Sequence, residues 1–203
     1  HRRDAFCGKL SLAANLYHYG IKFTNTRQHT MSLDSPLFDK ELARFAAVCR
    51  IVRGVRGSRI GMIGTRPGPF QTVRFSEKLL QRSGISVCVA DLSTIMSAAR
   101  NLADDNPQVL AKAEQIRNYG HISPAFADEL VVTQAKLCHT VETWLQDNAC
   151  DAYAMQCWDS LEYNYGCAAC LGMSMLGEAG IPGACETDVL GALSMLAMRL
   201  ACE

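Results

Sequence analysis

The sequence predicts an α/β fold, a parallel Rossmann-like (flavodoxin-like) sheet with helices on both faces, preceded by a helical bridge from an N-terminal α/β domain. Two observations carry that prediction. Short apolar runs recur along the second part of the chain, each followed by a loop and then a stretch with helical periodicity. The runs are apolar throughout rather than alternating, which is the pattern of strands covered on both faces and joined by helical crossovers.

Taken in order, Asp4 to Tyr19 places Phe6, Leu10, Leu12, Ala13, Leu16 and Tyr17 at helical spacing, with Gly20 as the stop. A second helix is expected from about Phe38 to Val55, closed by Gly57. Residues 1–57 therefore read as the end of one domain plus connecting helices, and residues 58–203 as a central α/β domain. The first strand is expected over Arg59–Gly64, followed by a Gly/Pro-rich turn and a helix from about Thr72 to Arg82. Ile85–Ala90 forms the second strand, with a helix reaching about Ala103. Two helices follow, Pro107 to Tyr119 and Pro124 to Asn148, each opened by a proline that fits the first turn. Asp151–Cys157 and Ile181–Cys185 complete the strands, and Val189 to Ala201 the helices.

Composition narrows the function. Twenty basic residues balance twenty acidic ones, so no net field draws the chain to nucleic acid or to an acidic membrane. No apolar run reaches the roughly 20 residues needed to span a bilayer, and the start, His1-Arg2-Arg3-Asp4, lacks the apolar stretch of a signal peptide. A cytoplasmic location is expected. The ten cysteines, including Cys49, Cys88, Cys138, Cys157 and Cys202, are scattered through apolar patterns, so they read as buried free thiols rather than a disulfide framework. A first residue other than methionine and an unfinished helical pattern at Glu203 lead us to expect a piece of a longer protein.

In a parallel sheet, ligands sit beyond the carboxyl ends of the strands. The first loop, Gly64 to Phe70, offers Arg66 and a helix N-terminus to an anion, or is simply a tight turn; it matches no dinucleotide or P-loop fingerprint. The second begins at Asp91, a helix cap. The third, Gln156 to Gly166, carries Trp158, Asp159, Glu162 and Tyr165, a mixture of aromatic faces and polar groups suited to a polyol, or a plug for the end of the sheet. The fourth, Cys185-Glu186-Thr187-Asp188, sets two acids within three residues. Facing a crevice, they would repel unless a cation or a proton lay between them, whereas Asp188 alone would serve as an N-cap. Cys167-Ala168-Ala169-Cys170 has thioredoxin-like spacing but none of the accompanying pattern. His18, His121 and His139 lack metal-like partners.

Ile60-Gly61-Met62-Ile63-Gly64-Thr65-Arg66-Pro67, then Gln156-Cys157-Trp158 with Tyr165 to Cys170, then Ile181 to Asp188, in that order, resemble the L-fucose/L-arabinose isomerase family. The resemblance implies an N-terminal, a central and a C-terminal domain, of which this chain holds the end of the first and the second. It implies aldose–ketose isomerisation through an enediol, with Mn²⁺ held by carboxylates of the central domain and a histidine of the C-terminal domain. On that pattern Asp188 and Glu186 are the expected metal ligands and acid/base groups, Glu162 is a further catalytic candidate, and Trp158, Asp159 and Arg66 contact the sugar. Cys170 stands where the family has its other carboxylate, and the C-terminal histidine is absent, so the chain alone is expected to be inactive. Homo-oligomers are implied for the full-length protein. The rival expectation is a sugar-binding or assembly module without catalysis.

Overall fold

The computed structural model describes residues 4–123 and 125–203; Pro124, the expected start of a helix, lies outside them, as do His1, Arg2 and Arg3. The chain forms two compact units, residues 1–50 and 51–203. The first contains helix α1 (Ala5–His18) and most of α2 (Pro36–Val55). None of the described residues of α1 or α2 is buried, and Phe6, Leu10, Leu12, Leu42 and Phe45 are all exposed.

The second unit is built on four parallel strands, β1 (Arg59–Ile63), β2 (Ser86–Ala90), β3 (Ala152–Met155) and β4 (Gly183–Cys185), in the order β2-β1-β3-β4. The α/β Rossmann-like class is as predicted. Between strands run α3 (Glu77–Arg82), α4 (Leu92–Asn101), α5 (Pro107–Tyr119), α6 (Asp128–Asp147), α7 (Ser160–Asn164) and α8 (Cys170–Glu178), and α9 (Val189–Cys202) follows β4. Strand residues alternate between the two faces as a pleat requires. Ile63, Tyr153 and Met155 pack with Ile95, Leu137, Leu145 and Leu176 on one face. Ile60, Ala152 and Ala154 pack with Leu80, Val189, Ala192 and Leu196 on the other. A side core joins α5 and α6 through Val109, Ala113, Ile116, Val131 and Ala135, with Leu171 and Met175 of α8 packed against it.

Small residues set the spacing at β4. A Cβ on Gly183 would lie 2.7 Å from ring carbons of Tyr153, a residue only 1% exposed, so the buried phenol ring requires glycine opposite it. Helix ends follow the expected chemistry: the Ser93 N–H donates to Asp91 Oδ1 at 2.7 Å to start α4, and the Gln108 N–H donates to Asn106 Oδ1 at 2.8 Å to start α5.

The structure corrects the sequence reading in three places. The helix expected from Thr72 to Arg82 is a short 3₁₀ turn, Gln71–Val73, then extended backbone at Arg74, with α3 starting only after Ser76. The helix expected from Pro124 begins at Asp128. The cysteines are all free, but only Cys138, Cys150 and Cys157 are buried; Cys49 and Cys202, expected inside, are exposed, because the helical faces carrying them are uncovered.

Candidate functional site

The strand order fixes where a ligand crevice can form. From β1 the chain moves to one side, to β2, and later returns to the other side, to β3, so the connections leaving the carboxyl ends of β1 and β3 diverge. This is a topological switch point, the place where parallel α/β sheets open to ligands. The loops after β1 and β3 flank it, and the loop after β4 lies next to them.

Gln156, the first residue after β3, joins the first two of those loops. Its Oε1 accepts the Thr65 N–H at 3.0 Å, and its Nε2 donates to the Trp158 carbonyl at 3.3 Å. Gly64 makes room for it: the backbone there is left-handed at φ +88°, and a Cβ would lie 2.7 Å from the Gln156 side chain. Phe70 meets Trp158 edge to face, with centroids 5.5 Å apart. Beside Trp158 a cavity of about 620 Å³ is lined by Pro67, Gln156, Trp158, Asp159 and Tyr163. Trp158 is 53% exposed, an open aromatic face at the mouth of the crevice. Arg66 lies elsewhere, in a neighbouring cavity of about 500 Å³ with Met62, Thr65 and Thr187, and its guanidinium donates to the carbonyls of Pro67 and Gly68 at 2.9 Å each.

The acids of the fourth loop take different partners. Glu186 is 7% exposed, and its carboxylate accepts the N–H of Trp158 at 3.2 Å and that of Cys157 at 3.4 Å. Asp188 accepts the Gly191 N–H at 2.8 Å and caps α9. Glu186 and Thr187 both occupy left-handed backbone, φ 55° and 57°, without being glycine. Such strain persists only where surrounding contacts enforce it, and here the buried carboxylate bonded to the neighbouring loop is the enforcing contact. Glu162 is exposed, with the Cys157 thiol donating to its Oε1 at 3.6 Å; burial pushes the Cys157 thiol up to about 12. Tyr165 has the structural place offered as its alternative: its hydroxyl donates to the Thr133 carbonyl at 3.2 Å, and Arg100 lies 5.5 Å from its ring centroid.

Tested as a Mn²⁺ site, Glu186 and Asp188 have the right chemistry, hard oxygen donors that keep lone pairs beyond their N–H contacts. Among the described residues no three His, Cys, Asp or Glu side chains gather as an ion site. His121 lines a separate, mainly apolar cavity of about 410 Å³ with Ile122, Phe126 and Leu171.

Sequence reasoning named Trp158, Asp159, Glu162, Glu186 and Asp188; the structure sets four of them on the loops after β3 and β4 and Glu162 on α7, which follows the loop after β3. It missed Gln156 as the link between loops. The available signal was an amide side chain directly after a fully buried strand, opposite a glycine after the paired one.

Residues 1–56 match the family model described as the fucose/sulfoquinovose isomerase, N-terminal domain. The sulfoquinovose isomerase of Alkalicoccus urumqiensis is 25% identical over 191 residues, covering 93% of this chain and 40% of that protein. That of Priestia aryabhattai is 25% identical over 169 residues, 82% of this chain and 37% of its own length. The chain is thus similar to fucose/sulfoquinovose isomerases. A third sulfoquinovose isomerase, from Clostridium sp. (strain MSTE9), is 27% identical over 139 residues, 68% of this chain and 30% of the relative. The chain thus spans two-fifths or less of the length of these curated relatives. Among its described residues no helix is long and apolar enough to cross a membrane.

Proposed function

We propose that this chain is the central part of an aldose–ketose isomerase acting on a small sugar, with residues 1–57 ending its N-terminal domain and 58–203 forming the domain that carries the acids. The observation that carries the reading is the similarity to three sulfoquinovose isomerases over most of the chain, joined to a switch-point crevice bordered by an open indole and the Asp159 carboxylate. Trp158 stacks on the C–H face of the sugar, and Asp159 accepts hydrogen bonds from its hydroxyls. Arg66, expected to contact the sugar, instead lines the neighbouring cavity and is bonded to the carbonyls of its own loop.

Isomerisation moves a proton between C2 and C1 and another between the two oxygens, so it needs a base beside the carbon pair. Glu162, exposed on α7, and Asp188, at the start of α9, are the acids we assign to that exchange. Glu186 fixes the loop after β3 that leads to Glu162. Glu186 and Asp188 would also hold a divalent cation whose remaining ligands lie outside this chain; when bound, such an ion polarises the sugar carbonyl and its neighbouring hydroxyl.

The test is ketose formation by the full-length protein from a panel including fucose, arabinose and sulfoquinovose, with and without Mn²⁺, repeated with Asp188→Asn and Glu162→Gln. Loss of turnover by about 100-fold or more in either variant is expected for a group that transfers a proton. Turnover unchanged in both would remove these acids from the mechanism. A second reading, a sugar-binding module without catalysis, is favoured by Cys170 in place of the expected carboxylate; it predicts sugar binding by calorimetry with no ketose formed.

A further inference from the structure

The loop after β1 borders two cavities, and the second has a charge of its own. Arg66, Arg74 and Lys78 all line the cavity of about 500 Å³ beside the crevice, together with Met62, Thr187 and a single acid, Glu77. The chain as a whole carries no net charge, so this excess of cations is local. Among the described residues none of the three cations is in an ion pair. We propose that this cavity binds a tetrahedral oxyanion of the phosphate or sulfonate class, held by Arg66, Arg74 and Lys78.

Arg66 is the anchor. Its Nη1 donates to the carbonyls of Pro67 and Gly68 at 2.9 Å each, which uses both Nη1 hydrogens and fixes the guanidinium within the loop. The opposite edge, Nε and Nη2, makes no hydrogen bond among the described residues, and two N–H groups side by side match two oxygens of a phosphate or sulfonate. A fork already fixed loses less freedom when an anion docks on it. Arg74 spends only Nη1, in a long contact of 3.4 Å to Gln71 Oε1, and Lys78 adds an exposed point charge.

The acids of the neighbouring loop are committed elsewhere. Glu186 and Asp188 flank Thr187 in the chain, yet neither lines the cavity: Glu186 accepts the N–H groups of Cys157 and Trp158, and Asp188 that of Gly191. Glu77 is the acid that faces an incoming anion, and it is exposed, where solvent and salt screen its repulsion. The oxyanion is either the charged end of the substrate sugar or a free ion. The first source rests on the isomerase reading above and the second does not.

The experiment is calorimetric titration of the full-length protein at low ionic strength with inorganic phosphate, glucose 6-phosphate and glucose. Phosphate should bind in the millimolar range, about tenfold or more weakly in Arg66→Gln and about threefold more weakly in Arg74→Ala or Lys78→Ala. Lys40→Ala, which removes the same charge from an exposed position on α2, should leave the affinity unchanged. Arg66→Gln also removes hydrogen bonds of the loop itself, so Arg74→Ala and Lys78→Ala carry the test if it unfolds. Tighter binding of glucose 6-phosphate than of phosphate assigns the oxyanion to a sugar, and equal affinity assigns it to a free ion. The proposal is overturned if neither anion binds, or if all variants bind phosphate as the wild type does, an adventitious ion only. Ketose formation plays no part in this readout, so failure here leaves the isomerase proposal standing, and the reverse holds too.

Discussion

Glu186 accepts the backbone N–H of Trp158 at 3.2 Å, so a side chain from the end of β4 holds the loop that leaves β3. One consequence can be measured. Glu186→Gln keeps one acceptor but turns an amide N–H₂ toward the second backbone donor. The fold should lose about 1 to 3 kcal/mol, the range for a hydrogen bond to a charged group, read from the urea midpoint. An unchanged midpoint would mean that water serves the two N–H groups equally well.

Asp188 separates structure from chemistry. Asp188→Asn retains an N-cap for α9 and should leave stability within a few tenths of a kcal/mol, whereas Asp188→Ala should cost about 1 kcal/mol. Thermal unfolding of the two variants beside turnover of the full-length protein distinguishes an acid that caps from one that also reacts. Asn variants that keep both stability and turnover would leave the cap as the whole of its role.

Gly183→Ala tests the packing of β4. With the Tyr153 ring 2.7 Å from the new Cβ and Met173 Cγ at 3.0 Å, both buried, the strand must shift or the ring must leave its place. A loss of about 1 to 3 kcal/mol is expected, as for overpacking of a close-fitted core.

Gln156→Ala should change local order more than stability. Both hydrogen bonds of its amide are near solvent, so the global midpoint should move by no more than about 0.5 kcal/mol. The Thr65 amide, which donates to Gln156, should exchange with deuterium markedly faster.

Alkali should weaken the fold before acid-sensitive groups matter. Burial pushes Cys150 and Cys157 up to about 12 and Cys167 up to about 11, and raises Tyr153 well above its usual 10.0. A group whose folded value is raised contributes its full stability below its unfolded value and loses it as pH climbs toward the folded one. For these thiols the unfolded value is 9.0, so the urea midpoint should be flat up to about pH 9 and decline from there toward pH 12. Cys157→Ala should shallow that decline.

The fold was legible because buried parallel strands are apolar on both faces: Ile60 and Ile63, Ala152 to Met155, and the crossover helices between them follow directly from periodicity. The break at Arg74–Ser76 was not, since Thr72 to Arg82 carries a plausible helical pattern and Ser76 reads equally well as a helix residue or a cap. At the site, residue types announced Trp158, Asp159, Glu162, Glu186 and Asp188. What one dimension cannot encode is partner choice: that Glu186 turns to β3 while Asp188 turns to its own helix depends on two successive left-handed residues that no glycine advertises.

That left-handed turn makes the end of β4 a point of divergence. Over four successive positions, Cys185 meets the sulfur of Met173, Glu186 the backbone after β3, Thr187 the cavity beside Arg66, and Asp188 the first turn of α9. Each substitution there disturbs one neighbour, but deleting or inserting a single residue would reassign all four at once. The length of this segment is therefore under tighter constraint than the identity of any residue in it.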